Sequence, residues 1–284
     1  MTAPELGLRG IATELNTPPR TRARSRARSI GRGNVTHIIV LTLTAVYFLL
    51  PLYAAGKFAL TVDGHFSWAG LKGISKQDGF KDAFVLSFKL ALVTTLISLA
   101  LMVPTAVLVH LRFPNLRRFF DGLTLLPIVI PPVVLIVGVL QVAPQKLKGT
   151  PYLLALEYVV LAMPFMYRSL DAGLRSFDLR TIVDASRSLG GGWLSTLWHV
   201  LLPNLRSAVL SGVVLTVALV LGEYTMATLD QYTTFPVWIV YNDQSSSQTS
   251  VAASLLALLV TWLVLIIIAA FGGQRRGRGN REEA

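Results

Sequence analysis

The chain has 284 residues, of which 53% are hydrophobic and only 14% are charged. A soluble core cannot bury that much apolar surface, so the composition excludes an ordinary soluble protein and predicts an integral membrane protein. The formal net charge of +11 would favour nucleic-acid binding in a soluble chain, but here the position of each basic residue relative to the apolar segments matters more than the total.

The first predicted element is a basic cytoplasmic tail, residues 1–34, which contains seven arginines together with proline and serine. This composition predicts a disordered segment that lies near anionic lipid head groups. The alternative is a signal peptide, because a basic region here precedes an apolar stretch. Cleavage of that stretch would leave five spans and an external N-terminus, so a tail fits the rest of the chain better.

Six apolar stretches follow, and each approaches the length that crosses about 30 Å of hydrocarbon. They cover residues 35–57, 83–110, 119–143, 152–167, 208–229 and 251–271. Several contain helix-interrupting prolines, namely Pro104, Pro127, Pro131, Pro132 and Pro164. Membrane helices tolerate such breaks where neighbouring helices satisfy the freed backbone groups. The sequence therefore predicts an all-α integral membrane protein, with a packed domain of six transmembrane helices at residues 35–272 and a second tail at 273–284.

The basic residues predict the orientation, because Lys and Arg are enriched in cytoplasmic segments near span ends. All nineteen arginines fall in the two tails and in the segments that follow the second and fourth spans, whereas the other connecting segments contain no arginine. We therefore expect a multi-pass protein of a prokaryotic inner membrane with both termini in the cytoplasm. The outer loops, 59–82 and 230–250, either meet a soluble partner or simply join helices.

Segment 176–203, on the cytoplasmic side, is predicted to contain a short amphipathic helix. In SFDLRTIVDASRSLGGGW, either Ser176 or Asp178 is a candidate N-cap. The positions that recur at helical spacing on one face are Leu179, Ile182, Val183, Ser186 and Leu189. Glycine adopts the left-handed conformation that closes a helix, so the triplet that begins at Gly190 is expected to form a turn. The apolar face of such a helix needs lipid, its own bundle or another protein to cover it.

The string DASRSLGGGWLSTLWHVLLPNL resembles the EAA motif of bacterial ABC importer permeases, which reads Glu-Ala-Ala, three residues, Gly, and a hydrophobic stretch that ends in Leu-Pro. Asp184, Ala185 and Ser186 stand at the first three positions, Gly190 at the glycine and Leu202-Pro203 at the end. Asp for Glu preserves the charge, and Ser for Ala preserves the small size. The resemblance implies the type I ABC importer fold, in which this segment is a cytoplasmic coupling helix seated in a cleft of a separate ATPase. It assigns ATPase coupling to Asp184, Ala185, Ser186, Leu189 and Gly190.

The same resemblance implies the partners. These are a second permease subunit, identical or similar to this one, a dimer of ATP-binding cassette ATPase subunits, an extracytoplasmic solute-binding protein and the lipid membrane, with no nucleic acid. ATP and Mg are expected on the ATPase subunits, because this chain has no G-x-x-x-x-G-K-[ST] phosphate loop and its glycine triplet is not followed by lysine.

The segments LGEYTMATL and TFPVWI resemble the permease branch of spermidine/putrescine importers and, beside it, ferric-ion, sulfate and phosphonate systems. Ionisable groups inside a membrane mark pathways or counter-ions. Glu223 in the fifth span, beside the aromatic face of Tyr224, is therefore the predicted attraction site for a polyamine. Lys89 in the second span would repel a polyamine and favour an anion such as sulfate or phosphonate. Alternatively, Glu223 pairs with Lys89 or with a polar group on another helix and only fixes packing. Glu157 is expected near the outer surface, where it snorkels or pairs with Lys148.

The sequence contains no group of residues whose types and spacing would predict a catalytic site. There is no cysteine, and the four histidines, at positions 37, 65, 110 and 199, are scattered. We therefore expect a non-enzymatic subunit with no catalytic residues, no metal site and no cofactor of its own. The competing classes are an intramembrane enzyme and a membrane scaffold without transport, which purification without an ATPase subunit would favour.

Overall fold

The computed structural model describes residues 32–62, 64–243 and 246–273, and helices account for most of them. In chain order the helices are α1 (Arg32–Ala59), α2 (Ala69–Ile74), α3 (Phe80–Arg112), α4 (Arg117–Leu123), α5 (Leu126–Val129), α6 (Pro132–Val142), α7 (Pro151–Leu174), α8 (Leu179–Ser188), α9 (Trp193–Thr196), α10 (Leu202–Gly222), α11 (Thr225–Leu229), α12 (Phe235–Asp243) and α13 (Ser247–Gly273). A 3-10 turn (Pro114–Leu116) precedes α4, and a π-helical turn (Leu197–Leu201) joins α9 to α10.

Two short antiparallel strands, β1 (Thr61–Val62) and β2 (His65–Phe66), form a hairpin in which Thr61 lies opposite Phe66. The predicted helical class is confirmed apart from this hairpin. The predicted tail at residues 1–34 lies outside the described residues except for its last three, and the tail at 273–284 does so except for its first.

The chain divides into two units, Met1–Pro51 and Leu52–Ala284. In the described part of the first unit, α1 is apolar on all sides, and side chains such as Leu41 and Tyr47 are exposed. A helix with this composition is stable where lipid is its solvent. The helix packing and the candidate site described below belong to the second unit.

Six segments of the described chain correspond to the six predicted spans. Five are single helical runs long and apolar enough to cross a bilayer: His37–Ala59, Phe80–Arg112, Pro151–Leu174, Trp193–Gly222 and Ser247–Ala270. The remaining segment, which is third in chain order, is a pair of helical runs, Pro114–Val129 and Pro132–Val142, that meet at an angle of 101°. The fourth span is longer than the predicted 152–167, and the fifth begins and ends earlier than the predicted 208–229.

The bend in the third span lies where consecutive prolines interrupt the helix. Ile130 and Pro131 have extended backbone, with ψ of 123° and 136°, and Pro132 begins α6. Proline lacks a backbone N–H and disfavours the helical conformation in the residue before it, so a Pro-Pro pair ends one helix and starts another. Pro104 and Pro164, by contrast, lie inside continuous helices, so the predicted interruption does not occur at those two prolines.

The segment predicted as 176–203 is divided between two structures. Only α8 is a separate helix, and the residues from Trp193 onward already belong to the fifth span. Pro203 does not break this span, because it lies in the first turn of α10, directly after the π-helical turn, where the hydrogen-bonding pattern changes in any case.

Helix α7 lies at the centre of the second unit and packs against both α3 and α10. Its large side chains Tyr158, Met166 and Tyr167 are almost completely buried. The approach to α10 is close, since a β-carbon on Gly173 would collide with Ala208. The core therefore depends on small residues where α7 meets α10.

The two segments predicted as outer loops are structured rather than plain connectors. Segment 59–82 contains the hairpin and α2, and segment 230–250 contains α12 and the start of α13. Trp238 Nε1–H donates a 3.0 Å hydrogen bond to the Asp78 carbonyl, and Gln248 Nε2–H donates one of 2.9 Å to the Thr61 carbonyl. These bonds join the two segments into one layer. Contact of this layer with a soluble partner stays a prediction.

Candidate functional site

The predicted coupling helix, α8, begins at an Asp cap. The Asp178 carboxylate accepts hydrogen bonds from the Thr181 hydroxyl at 2.7 Å and the Thr181 backbone N–H at 3.3 Å. These bonds lower the pKa of Asp178 below its ordinary value, because they stabilise the ionised carboxylate. Of the two candidate caps, Asp178 therefore performs the role, while the Ser176 hydroxyl donates to the Gly173 carbonyl at 2.7 Å.

The turn after α8 has the geometry that the glycine triplet predicts. Gly190 has a φ of 82°, in the left-handed region, and its N–H donates to the Arg187 carbonyl at 2.9 Å. The N–H of Gly191 donates to the Ser186 carbonyl at 2.9 Å, and a β-carbon on Gly191 would lie only 2.8 Å from that oxygen. One glycine is thus needed for its backbone angle and the next for close approach.

The predicted apolar face of α8 is divided. Leu179 and Val183 are buried in the core that α3, α7 and α10 share, but Leu189 is 90% exposed. Leu189 therefore does not belong to the buried face on which the helical spacing placed it, because the helix ends at Ser188 and the chain turns away. An exposed leucine at the tip of a helix is available to a partner.

The five residues assigned to ATPase coupling do not share one surface. Ala185, Leu189 and Gly190 are exposed, whereas the Ser186 hydroxyl is bonded to the Thr196 hydroxyl at 2.8 Å. Asp184 lies on a different side of the helix from Ala185 and Leu189, because residues of a helix are separated by about 100°. The Ser186 hydroxyl thus links α8 to α9, and the exposed tip of α8 is formed by Ala185, Leu189 and Gly190.

Glu223 lies in the two-residue break between α10 and α11. Its Oε1 accepts the backbone N–H of Met226 at 2.8 Å, and its Oε2 accepts the N–H of Ala227 at 3.3 Å and the hydroxyl of Tyr158 at 2.9 Å. Three donors of the same chain therefore occupy the carboxylate. The suggested pairing with Lys89 is wrong, and the partner from another helix is Tyr158.

Lys89 occupies an exposed position on α3. It lines an open cavity of about 360 Å³ with Lys81, Asp82, Val85 and Leu86. Lys89 forms no salt bridge within the described residues. Tyr224, the third residue assigned to the pathway, is 38% exposed and makes no aromatic contact with the described part of the chain.

Glu157 is 1% exposed and forms no salt bridge within the described residues, so the expectation that it snorkels or pairs with Lys148 is wrong, while its position near the outer surface of the membrane stays a prediction. Neither of its carboxylate oxygens has a hydrogen-bond partner among the described residues. Asp230 also has one buried carboxylate oxygen without a described partner. In residues 32–62, 64–243 and 246–273, no three His, Cys, Asp or Glu side chains converge as a metal site would require.

A network of charged residues that the sequence did not predict joins three helices at the opposite end of α7. Asp171 Oδ1 lies 2.8 Å from Arg117 Nη2 and 3.1 Å from His110 Nε2, and its Oδ2 lies 2.6 Å from Arg175 Nη2. The predicted fourth span stopped at Tyr167 because charged residues follow. The Asp171 and Arg175 pair at i and i+4 was the available signal that the helix continues.

No family model matches the chain. The molybdenum transport system permease protein ModB of Mycobacterium tuberculosis is 30% identical over 244 residues, which cover 79% of this chain and 89% of that protein. The sulfate transport system permease protein CysW of Synechococcus elongatus is 29% identical over 136 residues, 45% of this chain and 46% of that protein. The Fe(3+)-transport system permease protein FbpB 2 of Haemophilus influenzae is 30% identical over 106 residues, 37% of this chain and 21% of that protein.

One solved structure is similar across almost its entire length. It belongs to a bacterial ABC transporter involved in the import of the acidic polysaccharide alginate. The TM-score is 0.66 at 11% sequence identity, over 84% of this chain and 94% of the matched chain. At this identity the likeness establishes a shared fold.

Proposed function

Because the chain belongs to the family of ABC transporter permease subunits, we propose that it forms part of the membrane pathway of an importer for an inorganic oxyanion of the molybdate or sulfate class. The observation that carries this proposal is the state of Glu223. Its carboxylate is the group that would attract a cationic cargo, and donors of its own chain occupy both of its oxygens. The names of the molybdenum and sulfate relatives support the same conclusion.

The exposure of Lys89 is a second observation that favours an anionic cargo. Lys89 is an exposed cation without a salt bridge in the described chain, and Lys81 lies two turns before it on the same side of α3. An ammonium group near a membrane pathway attracts an anion and repels a polyamine. The polyamine expectation therefore loses its structural basis, and none of the three relatives described above is named for a polyamine.

The energy source in this proposal is a separate ATPase, because the chain has no phosphate-binding loop. The ATPase receives the exposed tip of α8, formed by Ala185, Leu189 and Gly190. Closure of the ATPase dimer around ATP moves α8, and the buried residues Leu179 and Val183 transmit that movement to α3, α7 and α10. A binding protein delivers the anion on the opposite side, and a second permease subunit completes the pathway.

Two breaks in the spans are the positions at which the pathway changes shape. One is the 101° bend at Ile130 and Pro131, and the other is the interruption at Glu223 and Tyr224. Backbone at a helix break is not held by regular hydrogen bonds, so it accommodates the exchange between inward-open and outward-open arrangements. ATP drives this exchange because it binds one arrangement better than the other.

Ferric ion is the second candidate cargo, and the buried carboxylate of Glu157 is the observation that favours it. A hard cation needs several oxygen ligands. In the described part of the chain, Glu157 belongs to no cluster of three His, Cys, Asp or Glu side chains that could supply these ligands. The oxyanion proposal therefore has the better support.

The test is ATP-dependent uptake by the purified transporter in liposomes. The complex would contain this chain, its companion ATPase and its binding protein, and labelled sulfate or molybdate would be the cargo. We expect accumulation that an excess of the other oxyanion reduces and that spermidine or ferric citrate leaves unchanged. Uptake of labelled spermidine or iron without uptake of either oxyanion would contradict the proposal.

A further inference from the structure

A groove lies between α8 and the last turns of α3. Four residues from α8 line it, and because their spacing is i, i+3, i+4 and i+7 they form one stripe of that helix. Three residues from the end of α3 and the first residue of α9 complete the lining. The full set is Leu108, Leu111, Arg112, Arg180, Val183, Asp184, Arg187 and Trp193, around a cavity of about 370 Å³.

The rim of the groove is strongly cationic. Arg112, Arg180 and Arg187 supply three guanidinium groups, and Asp184 is the only carboxylate in the lining. Within the described residues none of these three arginines forms a salt bridge, whereas Arg117 and Arg175 both do. Guanidinium groups bind phosphate oxygens through paired hydrogen bonds, so three of them around one cavity form a site for a phosphate-bearing anion.

The floor of the groove is apolar and continues onto the membrane surface of α3. Leu108 is 46% exposed, and Leu101, two turns earlier on the same side of α3, is exposed as well. A ligand that fits both the rim and this surface carries an anionic group at one end and hydrocarbon at the other. A free inorganic anion would use only the arginines.

We propose that this groove binds the headgroup phosphate of an anionic phospholipid of the cytoplasmic leaflet, with its acyl chains along Leu108 and Leu101 of α3. The assignment of the groove to the cytoplasmic leaflet rests on the proposed function. The predicted ATPase contact remains available, because Ala185 lies roughly opposite the groove on α8 and the exposed Leu189 lies just beyond the end of that helix. A lipid held here bridges α3 and α8, so the lipid composition of the membrane controls how firmly the coupling helix is attached to the bundle.

The test measures lipid retention by the assembled transporter. The complex would be extracted from nanodiscs that contain equal amounts of phosphatidylglycerol and phosphatidylcholine, and the bound lipids would be counted by native mass spectrometry. The variant Arg112→Gln/Arg180→Gln/Arg187→Gln removes the rim. We expect the wild type to retain phosphatidylglycerol preferentially, and we expect the variant to lose that preference by about fivefold for each arginine removed.

The matched control removes the same charge from the same end of the bundle outside the groove, as Arg118→Gln/Arg168→Gln/Arg206→Gln, three exposed positions. It should retain the wild-type preference. An equal loss in both variants would mean unspecific attraction, and an unchanged preference in the groove variant would mean no site, so either result overturns the proposal. It is also overturned if the groove variant releases the ATPase subunit while its lipid count stays the same, because the groove would then be a protein contact. The readout involves no uptake, so it is independent of whether the cargo is an oxyanion.

Discussion

The phenol of Tyr158 in α7 donates a 2.9 Å hydrogen bond to Oε2 of Glu223, the residue that follows the last turn of α10. Tyr158 is fully buried, so this bond is the only means by which its hydroxyl is satisfied within the described chain. The contact ties the fourth span to the break in the fifth. The carboxylate of Glu223 is therefore held in place by donors of its own chain.

Removing Glu223 should destabilise the fold whatever the cargo. In Glu223→Ala the buried Tyr158 hydroxyl and two backbone N–H groups lose their acceptor, which costs roughly 1–3 kcal/mol. Thermal unfolding of the detergent-solubilised transporter measures this loss. Tyr158→Phe should cost less, because it leaves no buried donor unpaired, and in the double variant the two effects should not add. Strict additivity would mean that the hydrogen bond contributes nothing.

The turn after α8 predicts a separation of ATP hydrolysis from uptake. Gly190 has a φ of 82°, so Gly190→Val forces a β-branched residue into the left-handed region at a cost of about 1–2 kcal/mol and displaces the helix tip. We expect the variant to insert and its partner ATPase to hydrolyse ATP, but the transporter should import less solute per ATP. Gly190→Asn, which tolerates this backbone angle, and Gly192→Ala, at a position with φ of −72° and open space for a side chain, are the controls. Equal coupling ratios in Gly190→Val and both controls would rule out the role of the turn.

The contact of α7 with α10 predicts a steric effect. Gly173→Val inserts a side chain where a β-carbon already meets Ala208, and overpacking of this kind typically costs about 1–3 kcal/mol. Gly138→Val in α6 is the matched control, since apart from its chain neighbours and the backbone of its own helix nothing lies within 4 Å of the place that a β-carbon would occupy there. The measurement is the yield of folded protein by size-exclusion chromatography together with its melting temperature. Similar losses in both variants would show that the helices are not closely packed at Gly173.

The cap of α8 predicts a pH dependence. Because the pKa of Asp178 is lowered in the folded state, the cap is fully present above the ordinary pKa of 3.8 and is lost as the pH falls through the lowered value. Protection of the Thr181 amide against hydrogen exchange should therefore stay constant from pH 7 to about pH 5, after correction for intrinsic rates, and fall only below the ordinary pKa. Asp178→Ala should remove this protection at every pH, whereas Asp178→Asn should retain it without the acid transition. A transition near neutral pH would contradict the assignment of the cap.

Hydropathy was sufficient to predict the six spans, because a bilayer demands long apolar helices whatever their tertiary contacts. It failed at span ends, where charged residues are satisfied by partners far away in the sequence. The fourth span continues through Asp171 because Arg117 of α4 pairs with it, and a hydropathy window sees only an isolated charge. The doubled prolines at the third span were a correct local signal, since their effect on the backbone needs no partner.

In the candidate site, too, the sequence predicted local features but not contacts between residues that are far apart in the chain. The turn at Gly190 and the N-cap of α8 depend on neighbouring residues only. The sequence predicted the turn and limited the candidates for the N-cap to Ser176 and Asp178. The partner of Glu223 lies 65 residues away, and the sequence offered Lys89 because opposite charges are the simplest match. The burial of Glu157 likewise depends on how α7 packs, which one sequence does not reveal. The coupling roles of Ala185, Leu189 and Gly190 stay predictions.

The coupling role of α8 is tested most directly by asking what touches Leu189, whose side chain is 90% exposed at the tip of that helix. The chain contains no cysteine, so Leu189→Cys introduces a single thiol for a photoactivated crosslinker in native membranes, with Phe119→Cys, another exposed apolar position, as the control. We expect a crosslink from position 189 to an ATP-binding cassette ATPase, identified by mass spectrometry, and none from position 119. Crosslinks from position 189 only to lipid or to this chain itself would contradict the coupling role.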